Sequence, residues 1–213
     1  MNRETSLALL QQHRLLAILR GDFQDNAVPI ARELFEAGIR VLEFSTVSAA
    51  WAENIRALTQ AFGDRLAVGA GTVLHVDHVR QAADAGASFV VSPNTNPAVI
   101  TATHNFDMAS FPGALTPTEI LLALESGADA VKLFPAAVFG PSYVRALRGP
   151  FPSLRLIPTG GVHAGNLREY FQNGAWAVAI GSELVRGDES SSSTWPELRS
   201  RAAKLVELAG GRA

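Results

Sequence analysis

The sequence predicts an α/β protein, a parallel (β/α)8 TIM barrel with an extra N-terminal helix. Two observations predict this fold class. Eight short apolar runs alternate along the chain with longer segments of helical periodicity, and several of the helical segments end at a glycine with a recurring spacing. Short runs that are apolar throughout are typical of strands buried on both faces, as in a parallel sheet. Eight such strands, each followed by a helix, indicate a barrel.

The apolar runs are the predicted strands, and they lie at 15–20, 41–46, 66–73, 88–93, 107–113, 130–136, 155–161 and 177–184. Glycines that can adopt a left-handed backbone end four of the helices, at Gly38, Gly86, Gly127 and Gly174. A further helix is predicted to begin at Thr116, with Glu119 three residues later as in a capping box. A doubly wound open sheet is the alternative, but it usually has fewer strands and does not explain this regularity.

Length and composition favour one domain over residues 1–213. The chain has 213 residues, of which 47% are hydrophobic and 18% charged, enough for one sizeable core. The segment "TSLALLQQH" is predicted to form the extra helix and to cover the bottom of the barrel. The polar stretch 187–196 is predicted to be a loop before the last helix and not a domain linker.

Charge and cysteine content exclude several classes of function. The net charge of −2 and the pI of about 6.2 give no indication of nucleic-acid or membrane binding. The absence of cysteine excludes disulfides and thiolate chemistry and fits a reducing compartment. The N-terminal segment has no apolar span of about 20 residues, so we expect a soluble, cytoplasmic protein.

Polar residues recur where the predicted strands end, and in a barrel these ends converge on the active site. The residues at these ends are Arg20, Glu43, Ser45, Thr72, Ser92, Lys132, Thr159, Gly160, Gly161, Gly181 and Ser182.

Lys132 is a lysine inside an otherwise apolar run, in a chain with only one other lysine, Lys204. On a strand, Ala130, Lys132 and Phe134 share one face, which is either the barrel interior or the helix layer. Desolvation lowers a lysine pKa, and a neutral amine can attack a ketone to form a Schiff base. A structural lysine that reaches solvent or pairs with a carboxylate is an equal alternative on this run alone.

Glu43 lies in the middle of the second predicted strand, at a height that matches Lys132. A glutamate whose pKa is raised by its surroundings can shuttle protons during Schiff-base chemistry. The alternative is that Glu43 and Lys132 form an ion pair that only fills the barrel.

Two glycine-bearing turns follow the seventh and eighth predicted strands, "PTGGV" and "IGSEL". Glycine lets backbone N–H groups approach an anion, and the loops after these strands are the recurrent phosphate site of such barrels. We therefore predict phosphate binding at Gly160, Gly161, Gly181 and Ser182. Ordinary turns are the alternative, and Arg20 is either an acid-binding residue or a surface arginine.

Three other motifs are set aside. The segment "GAGTV" lacks the G-x-G-x-x-G pattern of a dinucleotide site. His75 and His78 have no third ligand at a suitable spacing, so no metal site is predicted and they are expected to be solvated helix residues. His163 is interpreted as a helix-start residue and not as a phosphate ligand. No cofactor is expected.

The ordered motifs "GAGTV", "VSP", "PGALTPTEI", "VKLFPA", "ALRGPFP", "PTGGV" and "GS" cover roughly residues 15–185. In this combination the chain resembles the 2-keto-3-deoxy-6-phosphogluconate (KDPG) and 4-hydroxy-2-oxoglutarate (KHG) aldolases, with some features of the 2-keto-3-deoxy-6-phosphogalactonate aldolases. The resemblance implies a metal-independent class I aldolase, commonly a homotrimer, that acts on a phosphorylated 2-keto-3-deoxy sugar acid and releases pyruvate.

The resemblance also implies roles for single residues. Lys132 of "VKLFPA" corresponds to the Schiff-base lysine, and Glu43 corresponds to the acid/base glutamate. Thr72 corresponds to the threonine that contacts pyruvate, and the two glycine turns correspond to the phosphate loops. Substrate-binding residues are expected at Arg20, Thr72, Pro93, Phe134 and Thr159.

Two departures leave the aldehyde open. In "EFSTV", Ser45 stands where relatives have threonine, and Val47 stands where phosphogluconate-type relatives have arginine and galactonate-type relatives have asparagine. The segments "SAAWAENI" and "FGPSYVRAL" favour the galactonate type, whereas the threonine of "PTGGV" favours the gluconate type. Two other functions remain alternatives: an isomerase or synthase with Glu43 as base, and a barrel that binds a sugar phosphate without turnover.

Overall fold

The computed structural model describes residues 1–185 and 192–210. Its strands are β1 (Leu15–Leu19), β2 (Val41–Ser45), β3 (Ala67–Gly71), β4 (Phe89–Val91), β5 (Ala109–Phe111), β6 (Gly113–Ala114), β7 (Val131–Leu133), β8 (Leu156–Pro158) and β9 (Val178–Ile180). Its α-helices are α1 (Arg3–His13), α2 (Ala27–Glu36), α3 (Trp51–Phe62), α4 (Val76–Asp84), α5 (Pro97–Asn105), α6 (Pro117–Glu125), α7 (Pro141–Arg148), α8 (Leu167–Gln172) and α9 (Trp195–Leu208).

The strands form two parallel sheets, one of six strands in the order β5-β4-β3-β2-β1-β9 and one of three in the order β6-β7-β8. Within each sheet, strands that are consecutive in the chain are neighbours, and β9 joins the far side of β1. A doubly wound sheet would reverse its order near the middle, and this order does not. The prediction of a parallel α/β fold with alternating strands and helices is confirmed.

The predicted fifth strand is in fact two strands, β5 and β6, separated by Pro112. Proline has no N–H to donate to a neighbouring strand, so a strand is commonly interrupted there. Across the break, the Pro112 carbonyl still accepts from the Lys132 N–H at 2.9 Å. On the other side, β8 and β9 share a single bridge between Thr159 and Ala179. The pairing therefore gives two sheets and not one continuous ring.

Side chains on the strands alternate between two apolar clusters. On β1, Leu15, Ala17 and Leu19 pack in the larger cluster with the helices, whereas Leu16 and Ile18 belong to a second, inner cluster. The inner cluster draws on both sheets and contains Leu10, Leu16, Ile18, Val41, Ala67, Phe89, Val91, Ala109, Phe111, Ala130, Ile157, Ala177 and Ala179. A strand buried on both faces reads as a continuous apolar run, which explains the predicted runs.

The extra N-terminal helix is confirmed as α1, and it lies at the N-terminal ends of the strands. Leu10 is fully buried in the inner cluster. Arg3 donates from Nε and Nη2 to Asp129 Oδ1 at 3.0 and 2.7 Å, just before β7 begins. A buried leucine and a two-pronged ion pair thus fix α1 to the strands.

The predicted helix boundaries hold at the residues named for them. Each of the four glycines has a positive φ, between 88° and 102°. Thr116 and Glu119 form the complete capping box at the start of α6. In the predicted loop 187–196, residues 187–191 lie outside the described part, while Trp195 and Pro196 already belong to α9. Within 1–185 and 192–210, no helix has the length and apolar character needed to cross a membrane.

Candidate active site

Lys132 is the central residue of β7, and its side chain points to the inner face. Its neighbours Val131 and Leu133 pack outward with the helices, while Ala130 belongs to the inner cluster. This settles the choice of face that the sequence left open. The residue is only 5% exposed, and Nζ lies 5.2 Å from the centre of the Phe134 ring.

Glu43 occupies the matching inner position on β2 and is 2% exposed. Its Oε2 is buried without a hydrogen-bond partner, an arrangement that is costly for a carboxylate in a folded protein. Gly71 on the adjacent β3 makes room for it, because a Cβ at that position would overlap Glu43 Oε1 and Cδ. The sequence "GAG" therefore thins the strand beside the carboxyl group.

Burial shifts the two ionisable groups toward their neutral forms. It raises the pKa of Glu43, an effect that the nearby charges of Lys132 and Arg20 partly oppose. It lowers the pKa of Lys132, partly opposed by Glu43 and reinforced by Arg20. Among the ion pairs of the described residues there is none between Glu43 and Lys132. The structure thus does not support the interpretation of the two as a space-filling ion pair.

A cavity of about 470 Å³ opens next to Lys132, at the seam between the two sheets. Its walls come from the C-terminal ends of β1, β7, β8 and β9 and from the turns that follow them. Eight of the predicted site residues line it: Arg20, Lys132, Phe134, Thr159, Gly160, Gly161, Gly181 and Ser182.

Three of the residues that were assigned a catalytic or binding role do not line the cavity, nor do the strand-end residues Ser45 and Ser92. Glu43 acts on Lys132 through its charge, from the β2 side of the interior. Thr72 and Pro93 follow β3 and β4, and Pro93 is held against Gly113, where a Cβ would overlap the Pro93 carbonyl. The structure therefore brings the residues of four strand ends together and leaves these three outside the cavity wall.

The turn after β8 has the geometry of an anion cradle. Gly160 and Gly161 have φ of 84° and 80°, which L side chains rarely adopt. A Cβ on Gly161 would also overlap the Ala137 side chain. Within the described residues, the N–H groups of Gly160, Gly161 and Ser182 donate to no backbone carbonyl. Free N–H groups in successive left-handed turns are well suited to bind phosphate oxygens.

Thr72 is held in an unusual backbone conformation at the end of β3. Its φ is 59°, which is strained for a β-branched residue and is characteristic of functional sites. Its hydroxyl lies 2.8 Å from Ser45 Oγ, and its carbonyl accepts from Thr46 Oγ1 at 2.8 Å. The first of these bonds holds the threonine hydroxyl, and the second holds its backbone.

Sequence reasoning missed several wall residues. His163 lines the cavity, and it also begins the turn that leads into α8: its carbonyl accepts from the Leu167 N–H at 3.0 Å and its Nδ1 accepts from the Gly165 N–H at 3.1 Å. Glu183 also lines the cavity and places a carboxylate beside the cradle. Its position directly after "GS" was the available signal for finding it. The other apolar residues of the wall are Ile18, Val162, Ala179 and Val185.

The two histidines that were set aside as a metal site lie elsewhere. His75 precedes α4 and His78 lies within it, with ring centres 5.9 Å apart. His78 is not a fully solvated residue as expected, because its Nδ1 is buried. Over residues 1–185 and 192–210, no group of three or more His, Asp or Glu side chains is arranged to hold a metal ion.

Fold and site together define a parallel α/β protein with a buried amine that lines a cavity, a buried carboxyl group on a nearby strand and a glycine turn in the cavity wall. A family model described as KDPG and KHG aldolase matches residues 7–200, and the chain belongs to this family. The resemblance stated from the sequence motifs is thereby confirmed.

Individual relatives come from both branches of the family. The chain is 37% identical to a 2-dehydro-3-deoxy-6-phosphogalactonate aldolase of Escherichia coli, covering 84% of this chain and 88% of that protein. It is 35% identical to a 2-dehydro-3-deoxy-phosphogluconate aldolase of Treponema pallidum, covering 97% and 98%. A KDPG aldolase from Legionella pneumophila, solved with pyruvate as a covalent carbinolamine intermediate, superposes with a TM-score of 0.80 at 26% identity over 96% of each chain.

Proposed function

We propose that this protein is a class I, Schiff-base aldolase that cleaves a 2-keto-3-deoxy-6-phospho sugar acid to pyruvate and D-glyceraldehyde 3-phosphate. One observation carries the proposal: Lys132 presents a buried amine of lowered pKa to a cavity whose wall includes the glycine turn after β8. Membership of the aldolase family supports the reaction class, and the covalent intermediate of the Legionella relative supports the Schiff-base route.

Carbon–nitrogen bond formation comes first. Neutral Lys132 Nζ attacks the C2 ketone, and the resulting carbinolamine loses water to give a protonated imine. Glu43 supplies and removes the protons of these steps, a role for which a carboxyl group of raised pKa is suited.

Carbon–carbon cleavage follows. Glu43 takes the proton of the C4 hydroxyl, directly or through water, and the C3–C4 electron pair moves into the protonated imine. The products are the aldehyde and a pyruvate enamine. Protonation of the enamine at C3 and hydrolysis of the imine release pyruvate and restore the amine. The chemistry uses groups of the chain alone and needs no metal or organic cofactor.

We assign the substrate-binding roles from the position of each residue at the strand ends. Arg20 and Thr72 hold the carboxylate end, with Phe134, Thr159 and Pro93 around the pyruvate half. The phosphate lies against the N–H groups of Gly160, Gly161, Gly181 and Ser182. Arg20 lines the cavity and its charge reaches Lys132, which supports its role as an acid-binding residue.

We further propose that the two sheets close into one (β/α)8 barrel in a single domain over 1–213. The Thr159–Ala179 bridge, the bond from Lys132 N–H to the Pro112 carbonyl, and the inner cluster shared by both sheets support closure.

A homotrimer is proposed from the family resemblance, and exposed apolar side chains such as Val138 and Phe139 fit a subunit contact. Sedimentation equilibrium, which measures the mass of the assembly, tests the homotrimer. The cytoplasmic location stays a prediction.

Two observations bear on which aldehyde leaves. Relatives of both sugar-acid types match with nearly equal identity. Val47 is 67% exposed after β2 and offers no charge to a substrate. Galactonate-type and hydroxyoxoglutarate-type substrates are therefore the alternatives to the gluconate type.

Borohydride reduction in the presence of pyruvate tests the mechanism. A pyruvate adduct should map to Lys132 by mass spectrometry, and Lys132→Met should abolish both the adduct and turnover. Lys204→Met is the matched control, because it removes the other, exposed lysine, and it should leave both unchanged. An adduct on Lys204, or none, contradicts the Schiff-base mechanism.

Retro-aldol assays on the three candidate substrates then decide specificity. We expect the highest kcat/KM with the phosphogluconate-type substrate. An adduct without turnover on any of the three would instead identify a binding protein that has lost catalysis.

A further inference from the structure

A second cavity, of about 550 Å³, lies at the opposite end of strands β8 and β9. Its walls include residues 152–155 and 174–176, which precede these strands. The candidate active site uses residues 159–163 and 181–183, which follow the same strands. The two cavities therefore open at different ends of the molecule.

The charge of this second cavity is entirely positive. Arg14, Arg148 and Arg155 line it, and no Asp or Glu does. Arg145 lines an adjoining hollow that shares Arg148. The ion pairs found among the described residues involve other side chains, so these arginines have no carboxylate partner there.

Two of the arginines are held in place by backbone carbonyls. Arg14 donates from Nε to the Trp176 carbonyl at 3.3 Å and from Nη2 to the Ala175 carbonyl at 3.1 Å, and it stacks on the Phe171 ring at 3.9 Å. Arg148 donates to the carbonyls of Gly174 and Pro152. A guanidinium has five N–H donors, so both keep donors for a ligand.

Arg155 has no such structural bonds. Its side chain is exposed and makes no hydrogen bond to the described residues, and its guanidinium lies 5.3 Å from the Trp176 ring centre. Arg14, on the other side of the cavity, is partly buried, and burial lowers the pKa of its guanidinium. An anion between the two would restore the interactions that the lost solvent provided.

We propose that this cavity is a second anion-binding site, which takes a small molecule with two neighbouring phosphate groups. Several forked guanidiniums favour phosphate over a single carboxylate, because each fork can bind two oxygens in parallel. Three cations around one cavity match the charge of a diphosphate. This site is independent of the aldolase proposal, since it shares no residue with the cavity at Lys132.

Isothermal titration calorimetry with inorganic pyrophosphate at low salt tests the site. Arg155→Ala should weaken binding by about tenfold, as expected for the loss of a charge-assisted bidentate contact. Arg155→Lys keeps the charge but loses the forked guanidinium. Its affinity for pyrophosphate should lie between those of the wild type and Arg155→Ala. Arg56→Ala is the matched control, because Arg56 is an exposed arginine on α3 outside both cavities, and it should bind like the wild type.

Hydrogen–deuterium exchange shows where the pyrophosphate binds, because the glycine cradle is a competing site. We expect protection in 148–156 and 171–177 of the wild type that is lost in Arg155→Ala, with an unchanged melting temperature. Protection confined to 159–163, equal losses in Arg155→Ala and Arg56→Ala, or no binding at millimolar pyrophosphate would overturn the proposal.

Discussion

Asp129 and Lys132 are buried charged residues three positions apart at β7, and the protein treats them in opposite ways. The Asp129 side chain is 6% exposed and accepts hydrogen bonds from Arg3, His104 and the Ser110 N–H. Lys132 is 5% exposed over the whole residue, yet its Nζ makes no hydrogen bond within the described residues and faces a cavity.

This difference separates structural from chemical roles. A buried charge with all its partners anchors the elements that supply them, here α1, α5 and β5. A buried charge without partners is costly to the fold, so its pKa moves and it stays available to a bound molecule. Glu43, with its unpartnered Oε2, belongs with Lys132.

Glu43→Gln should lower kcat for retro-aldol cleavage by about a thousandfold, because loss of a positioned proton-transfer group costs this order of rate. Steady-state kinetics measure it, and the pyruvate adduct should still map to Lys132. Glu183→Gln is the control, since it removes a carboxylate from the wall of the same cavity without touching the proton shuttle. If Glu43→Gln kept kcat within tenfold of the wild type, Glu43 would belong with the structural charges.

Asp129→Ala should instead act on stability. It leaves Arg3 without its partner and a buried Ser110 N–H without an acceptor, so the free energy of unfolding should fall by about 2 to 3 kcal/mol. Urea unfolding measures it. Asp77→Ala removes an exposed carboxylate paired with Arg80, and should cost below about 0.5 kcal/mol. Equal effects of the two substitutions would contradict the anchoring role.

Gly161→Ala tests the cradle. The positive φ and the overlap with Ala137 force the turn to move, so KM for the phosphorylated substrate should rise about tenfold, the effect of weakening one charge-assisted bond. Trapping of pyruvate on Lys132 should be unchanged. Gly210→Ala is matched in backbone strain, with φ of 84° and open space around it, and should leave KM alone. An unchanged KM in Gly161→Ala would remove the phosphate role of this turn.

The pH dependence of adduct formation is the smallest effect. A lysine of ordinary pKa, about 10.4, loses its free amine tenfold for each unit of falling pH. The pKa of Lys132 is lowered by burial, so more of its amine is neutral at any given pH below that value, and the pH–rate profile for trapping should have its midpoint at a lower pH than that of an ordinary lysine. The ε-amine of Nα-acetyl-lysine amide provides the reference midpoint. A midpoint equal to that reference would show that burial leaves the amine unperturbed.

Much of the architecture was predictable because it depends on local patterns. Runs that are apolar throughout identified all eight strand positions, and the capping box at Thr116 identified the start of α6 to the residue. The interruption at Pro112 was not predicted, since the apolar pattern continues through it. Proline changes the hydrogen bonding of a strand without changing its hydropathy.

The site was predictable in its parts but not in its arrangement. Their positions at strand ends identified Lys132 and the glycine turns as site candidates. The apolar run around Lys132 did not determine which face of the strand points inward. That depends on which neighbours pack outward, a property of the whole sheet. Thr72 and Pro93 lie off the cavity because the wall is built from the other side of the molecule, by β1, β7, β8 and β9.

The ion pair between α1 and β7 also constrains the order of events during synthesis. Arg3 leaves the ribosome 126 positions before its partner Asp129. The ion pair therefore cannot form until the segment that leads into β7 has been synthesised. Before that point, only contacts with earlier parts of the chain can hold α1 in place.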